Sequence, residues 1–458
     1  AKDMSGSASH VGPAGPPAGG GVLRTFRSLR VRNYRLFASG QLVSLTGTWM
    51  QRVGQDWLVL RLSHNSGTAL GVATGLQFLP LLLFGLYGGA IADRYPKRRL
   101  LVMTQSAMGV LAVALGLLDL SGVVTLGEVY VLAFLLGMAT AVDNPTRQAF
   151  VTEMVGPDDV GNAVGLNSAT FNSARIVGPA VAGVLIEVVG TSWVFLINAL
   201  SYLGVLAGLM AMRDSELFAL PGGRRAAGHV RAGLAYLRGR RDLIVPIVLV
   251  GVVGTLGFNF QVTLALIAKT TFGRGAGAYG LLTSLLAGGS LIGALFAARR
   301  HRPSYRLMVG AALTFGVLEM VVGFMPTYLG VGLLLVPTGA AALTFNTCAN
   351  TTVQLRTDPS MRGRVMGVYM LVFAGGTPIG GPLVGWVAQQ FGARASLWLG
   401  GSSVALVAVV IAVLLSRRPV GGTVDEDAGS LAGAASIGPQ RGAPGPEVPV
   451  APAMATRV

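Results

Sequence analysis

Apolar runs of membrane-crossing length recur twelve times along this chain, each interrupted by a short polar or charged interval. A helix of about 20 apolar residues crosses a hydrocarbon layer roughly 30 Å thick and keeps its backbone hydrogen bonds within itself. The runs predict spans near Leu36–Leu60, Thr68–Ala92, Leu100–Leu118, Glu128–Ala141, Gly161–Val188 and Trp193–Met212. Six more follow near Leu243–Ile267, Ala278–Ala298, Leu307–Phe324, Leu329–Asn350, Gly363–Gln389 and Ser396–Ser416. The expected organisation is a disordered tail (1–23), a six-helix half (24–212), a cytoplasmic linker (213–242), a second half (243–416) and a disordered tail (417–458). Basic amphipathic segments at Arg24–Arg35 and His229–Arg241 are expected to lie on the inner membrane surface.

The first span breaks the apolar rule. Gln41, Ser44, Thr48, Gln51, Arg52 and Gln55 recur at spacings of three and four, with Asp56 at the edge of the stripe they form. Arg or Asp near the bilayer centre costs roughly 2.5 to 3.5 kcal/mol, whereas each Leu returns only about 0.5. The stripe therefore faces water or other protein, not lipid.

Composition agrees with the pattern: 52% of residues are hydrophobic and 12% charged, which excludes an ordinary soluble protein. The formal charge of +16 raises the possibility of nucleic acid as a partner. Its distribution points instead to membrane topology, because the cations gather in both termini and in every second loop. Both termini are then expected in the cytoplasm, with anionic lipid headgroups as the partners of the basic loops. A single cysteine, Cys348, allows neither an intrachain disulfide nor a cysteine metal cluster. The chain has no phosphate-binding Gly-x-x-x-x-Gly-Lys-Ser/Thr loop, and its four histidines all lie in predicted tails or loops. Nothing here suggests an enzyme, a cofactor or a metal.

A shift of about 202 residues lays Pro157, Gly161, Gly165, Gly178, Gly183 and Gly190 onto Pro359, Gly363, Gly367, Gly380, Gly385 and Gly392. Two related halves, each of six helices, follow from this repeat. Small residues four apart, which let helix backbones approach closely, stand at Gly85/Gly89, Ala174/Gly178, Gly289/Gly293 and Gly376/Gly380.

The stretch Gly89-Ala-Ile-Ala-Asp93-Arg94-Tyr-Pro96-Lys97-Arg98-Arg99 resembles the loop between the second and third helices of the major facilitator superfamily, with Pro96 where the family usually has glycine. Asn172-Ser-Ala-Arg175-Ile-Val-Gly178-Pro179-Ala-Val-Ala-Gly183 resembles the superfamily's antiporter motif, with Ala174 replacing its leading glycine. Together with Asp143-x-Pro145-x-Arg147 and Arg362-Gly363-Arg364, these stretches are similar to the drug and siderophore exporters of the enterobactin-exporter branch, from Phe26 to Arg418.

The resemblance implies an all-α membrane protein, with twelve transmembrane helices in two pseudo-symmetric halves. The four small-residue pairs would form the seam between those halves. The implied function is export of a drug, siderophore or secondary metabolite by a monomer in the bacterial inner membrane, in exchange for protons; import or uniport is the alternative. Asp56 is the expected proton carrier, with Arg52 either trading partners with it or forming a static pair. Arg175 would attract an anionic group or hold Asp143. Gln51, Gln55, Asp143, Asn144, Asn172, Asn259, Gln261, Asn346 and Asn350 would line the cavity. Asp93 would cap the start of the eleventh helix near Gly363, with Arg94, Arg147, Arg362 and Arg364 around it, as a lock on the outward-open state.

Overall fold

The computed structural model describes residues 26–218, 229–298 and 304–417. The expected disordered tails, and the second-half counterpart of the Asp93 loop near Arg300, therefore lie wholly or partly outside the described residues. Contacts divide the chain into Ala1–Ala412 and Val413–Val458. Everything below concerns the first unit, because only the end of one helix is described in the second.

The fold is all-α, and no strand occurs among the described residues. In the first half, α1 is Arg32–Leu62, α2 Gly67–Arg94, α3 Lys97–Leu120, α4 Leu126–Val155, α5 Val160–Val189 and α6 Thr191–Met210. After a short helix, His229–Leu237, come α7 (Arg241–Thr271), α8 (Ala276–Ala298), α9 (Tyr305–Phe324), α10 (Tyr328–Arg356), α11 (Arg362–Phe391) and α12 (Ala393–Arg417). Eleven of the twelve long helices are apolar enough to cross a membrane by themselves. The exception is α1, which carries the polar stripe.

Local chemistry sets several boundaries. Ser66, Ser304 and Thr327 each accept a backbone N–H in the first turn of α2, α9 and α10, and Thr125 with Glu128 closes a full capping box on α4. Gly190 and Gly392, equivalent positions in the two halves, end α5 and α11 at φ of 89° and 90°. A side chain is disfavoured in that left-handed region, so both turns require glycine.

The sequence pattern misjudges three elements. Arg32–Arg35 belongs to α1 itself, leaving only a single 3-10 turn, Arg27–Arg30, before it. The fourth helix does not stop near Ala141 but runs to Val155 with Pro145 inside it. Proline removes the amide that would bond to the Ala141 carbonyl, and the backbone of Gly88 packs against that oxygen instead: a Cβ on Gly88 would lie 2.2 Å from it. The seventh helix is not continuous. It opens into π turns at Val253–Gly257 and Ile267–Thr271, flanking a short α segment, Phe260–Leu266. Gly376 and Gly380 of α11 press onto Gly254 and Thr255 there, and the Asn259 side chain returns a hydrogen bond to the Thr255 carbonyl.

Within the first half, α2 packs on α4, α3 on α4 and α6, and α1 on α5 and α6; within the second, α8 and α9 pack on α10. Between halves, the extensive contacts are α2 with α11 and α5 with α8. The repeat maps α5 onto α11 and α2 onto α8, so these two contacts are the same contact related by the pseudo-two-fold axis.

The seam does not use the four small-residue pairs. Gly289 and Gly293 meet Val336 and Ala340 of α10, Gly376 and Gly380 meet α7, and Gly178 meets Thr46 and Trp49 of α1, all inside one half. The space beside Gly89 is empty to 4 Å, and Gly85 meets only Leu81 of its own helix. Other glycines close the seam. Gly67 and Gly71 of α2 lie against the backbones of Gly385 and Gly381 in α11, and Gly183 of α5 lies against Gly277 in α8. Spacing shows where backbones can approach but not which face meets which neighbour.

Two substitutions separate these roles. A Cβ on Gly289 would fall 2.0 Å from the Val336 carbonyl oxygen within a half, and one on Gly280 would fall 2.1 Å from the Pro179 oxygen across the seam. Gly289→Val is expected to destabilise the fold by about 1–3 kcal/mol, seen as a lower unfolding temperature. Gly280→Val is expected to part the seam instead, seen as a longer spin-label distance between Ser121→Cys and Leu329→Cys in a Cys348→Ser background.

Candidate functional site

The polar stripe of α1 is buried in protein: Gln41, Ser44, Gln51, Gln55 and Asp56 are each at most 3% exposed. Neighbouring helices offer the stripe its partners. Gln51 accepts from Asn198 of α6, Gln55 donates to Gln77 of α2, and Gln41 accepts from Arg147 of α4 at 3.5 Å. Asp56 reaches across the seam: one oxygen accepts from the Tyr279 hydroxyl of α8 at 2.6 Å, the other from the Gln261 amide of α7 at 3.0 Å. Asp56 thereby ties the first half to the second.

Arg52 does not pair with Asp56. Its guanidinium stands 4.5 Å from the Trp49 ring centroid and 5.5 Å from that of Phe78, and its Nε is buried without a hydrogen-bond partner. Arg175 of α5 lies over the same Trp49 ring at 5.8 Å. The helix-five motif explains this juxtaposition. A Cβ on Gly178 would sit 2.6 Å from Trp49 Cβ, so only glycine lets α5 press on α1 here and bring Arg175 alongside. Pro179 and Gly183, further along the same helix, form the seam with α8.

Asp143 and Arg175 are not partners, contrary to one expectation. Asp143 is fully buried and accepts from Thr104 and Gln105 of α3, while Arg147 closes an i,i+4 ion pair with it inside α4. Arg147 also donates to Asn144 at 3.0 Å. That cluster binds α3 to α4 and leaves Asp143 no free oxygen to offer a cavity. Asn172 donates to Ser168 of its own helix; Asn346 accepts from Tyr369, Asn350 from Gln354. Asn259 Oδ1 is buried without a partner.

The lock residues are apart. Asp93 and Arg94 are exposed, Asp93 has no hydrogen bond or ion pair among the described residues, and no side chain caps α11. Arg362 donates to the Gln354 carbonyl, Arg364 contacts Met361 Sδ, and Arg147 is held by Asp143. The reason is the state of the seam. At the Asp93 end, the positions where a Cβ would stand on Gly89, Gly161, Gly165, Gly363 and Gly367 have no neighbour within 4 Å. At the opposite end the seam is tight and has two matched caps. Glu187 of α5 accepts from the Gly277 N–H at the start of α8 (2.9 Å), and Gln389 of α11 accepts from the Gly67 N–H at the start of α2 (2.6 Å). The shift of about 202 residues superposes Glu187 on Gln389. Neither cap, nor Tyr279, nor Trp49 carries a sequence signal, apart from the need of a buried tyrosine hydroxyl for a partner.

At the linker, Arg240 grips Asp242 through two hydrogen bonds of 2.9 Å, which holds its guanidinium even further above its ordinary range.

Two six-helix halves meeting through α2–α11 and α5–α8, with buried charge between them, define a transporter of the major facilitator superfamily, not an enzyme. The chain belongs to the family described as transmembrane secretion effector, which it matches over residues 24–435. It is similar to the staphyloferrin A transporter of Staphylococcus aureus, 27% identical across 57% of this chain and 66% of that protein. It also resembles the multidrug efflux pump Tap of Mycobacterium tuberculosis (28%; 79% and 88%) and the enterobactin exporter EntS of Citrobacter koseri (24%; 84% and 92%). In fold it resembles a bacterial homologue of the human lysosomal transporter Spinster, crystallised in an inward-facing, unoccupied conformation, at 14% identity and a TM-score of 0.63, covering 84% of this chain and 95% of that one.

The buried Asp143 cluster yields a stability test. Asp143→Ala strands the Arg147 guanidinium and is expected to cost about 3–5 kcal/mol, measured as a fall in unfolding temperature of the detergent-purified protein.

Proposed function

We propose that this protein exports small organic molecules of the drug, siderophore or secondary-metabolite kind from the bacterial cytoplasm, by alternating access and in exchange for protons. The observation that carries the reading is Asp56, a buried carboxylate of one half held by two donors of the other, at the closed end of a seam that is open at its other end. Arg94, Lys97, Arg98 and Arg99 stand at the open end, and Arg362 and Arg364 begin α11 there. By the positive-inside rule that end faces the cytoplasm, which makes this conformation inward-open and puts both termini inside.

The glycine pattern supports rocking between two states. Gly67, Gly71 and Gly183 are engaged at the closed end, while Gly89, Gly161, Gly165, Gly363 and Gly367 stand free at the open end. Closing the cytoplasmic end would use this second set and bring Asp93 toward the start of α11, the lock anticipated for the outward-open state.

The proton enters through the cost of burying Asp56. With the external end open, Asp56 is reached by protons from outside, and the cost of burying its charge drives proton uptake as the end closes. The neutral group is then cheaper to bury as α7 and α8 close over it. Release of the proton to the cytoplasm leaves both oxygens accepting from Tyr279 and Gln261. Substrate entering from the cytoplasm reopens the outer seam by binding the outward-facing state better. The relatives named as exporters and efflux pumps favour this direction over import or uniport.

Two outcomes test the cycle. In proteoliposomes, Asp56→Asn is expected to abolish acceleration of transport by an imposed pH gradient while substrate exchange continues; gradient-driven transport at the wild-type rate would remove Asp56 from the mechanism. Glu187→Ala with Gln389→Ala is expected to shift the Ser121→Cys/Leu329→Cys distance distribution toward the longer, outward-open population, with each single change giving a smaller shift.

A further inference from the structure

Two guanidinium groups, Arg52 and Arg175, share the face of one tryptophan without forming an ion pair. Neither makes an ion pair or hydrogen bond among the described residues, although both are only half-exposed and an unpaired cation within a membrane span is costly. The nearby carboxylates are occupied. Asp56 is held by Tyr279 and Gln261, and Asp143 by Arg147, Thr104 and Gln105. What the arginines do have is aromatic surface. Trp49 lies against both, Phe78 lies beside Arg52, and Phe171 packs edge-on to Trp49 at 5.8 Å. A guanidinium over a ring keeps its N–H fork free for a planar acceptor.

We infer that Arg52, Trp49 and Arg175 form the substrate's anchoring site, and that the substrate is an aromatic or acyl organic anion carrying two acidic oxygens or more. The anion supplies the charge that neither half provides, and the Trp49 and Phe78 rings accept its flat apolar part. Gly178 is the positioning residue, because its missing side chain lets Arg175 reach Trp49. This deepens the export reading and rests on it only for placing the site on the transport path.

The test is direct binding to the full chain in phosphatidylcholine nanodiscs, where no anionic headgroup competes. Two probes share the xanthene ring system and differ in charge: fluorescein, an anion, and rhodamine 6G, a cation. Fluorescein is expected to bind more tightly, with Arg52→Gln and Arg175→Gln each weakening it by about tenfold or more and rhodamine 6G unchanged or strengthened. Arg52→Lys should fall in between, since it keeps the charge and loses the planar fork. Unfolding temperature of each variant separates loss of the site from loss of the fold, and for any variant that fails to fold Arg52→Lys with Trp49→Phe serves in its place. Tighter binding of the cation, or fluorescein affinity untouched in folded arginine variants, would overturn the assignment. Export failing while arginine-dependent fluorescein binding persists would instead count against the transport reading alone.

Discussion

Hydrocarbon offers no hydrogen bonds, and the structure depends on that constraint at α1. A helix carrying Gln41, Gln51, Gln55 and Asp56 survives in a bilayer only if neighbours answer each side chain, and here the answers come from α2, α4, α6, α7 and α8. The partners of the three glutamines belong to α1's own half, and they tie α1 to α2, α4 and α6. Asp56 alone is answered wholly from the other half. Under the proposed cycle its partners are surrendered whenever the halves separate at this end.

Glycine decides where the helices approach most closely. Inside a half, Gly289 and Gly293 on Val336 and Ala340, or Gly380 on Thr255, bring backbones into permanent contact. Between halves, glycines occur twice along α2, α5 and α11: one set engaged, the other facing space. The helix-end caps repeat this logic with different chemistry in each half, a carboxylate at Glu187 and an amide at Gln389. A carboxylate interacts more favourably with a helix N-terminus than an amide does, so the two-fold related latches are unequal in strength.

The proposed anchoring site and the proposed proton site are one helical turn apart. Arg52 faces aromatic surface and Asp56 faces the opposing half, so the two proposed sites occupy adjacent points of the same helix. The α5 motif serves both: Gly178 sets Arg175 against Trp49, while Pro179 and Gly183 meet α8. A substitution in this short stretch would disturb ligand and gate together.

By itself the sequence determined the number of spans, their approximate places, the buried fate of the α1 stripe and the two-fold repeat, because hydropathy and glycine spacing record what lipid and close backbones demand. The burial of Asp56 within protein was legible for the same reason: a carboxylate within an apolar run is too costly to face lipid. Tertiary structure alone decided the partners. It turned Asp143 inward to Arg147, left Arg52 facing Trp49 instead of Asp56, brought Tyr279 to the carboxylate and moved the seam onto a different set of glycines. Helical spacing fixes which residues share a face, but the rotation of each helix against its neighbours is set by packing across the whole bundle, and no local pattern encodes it.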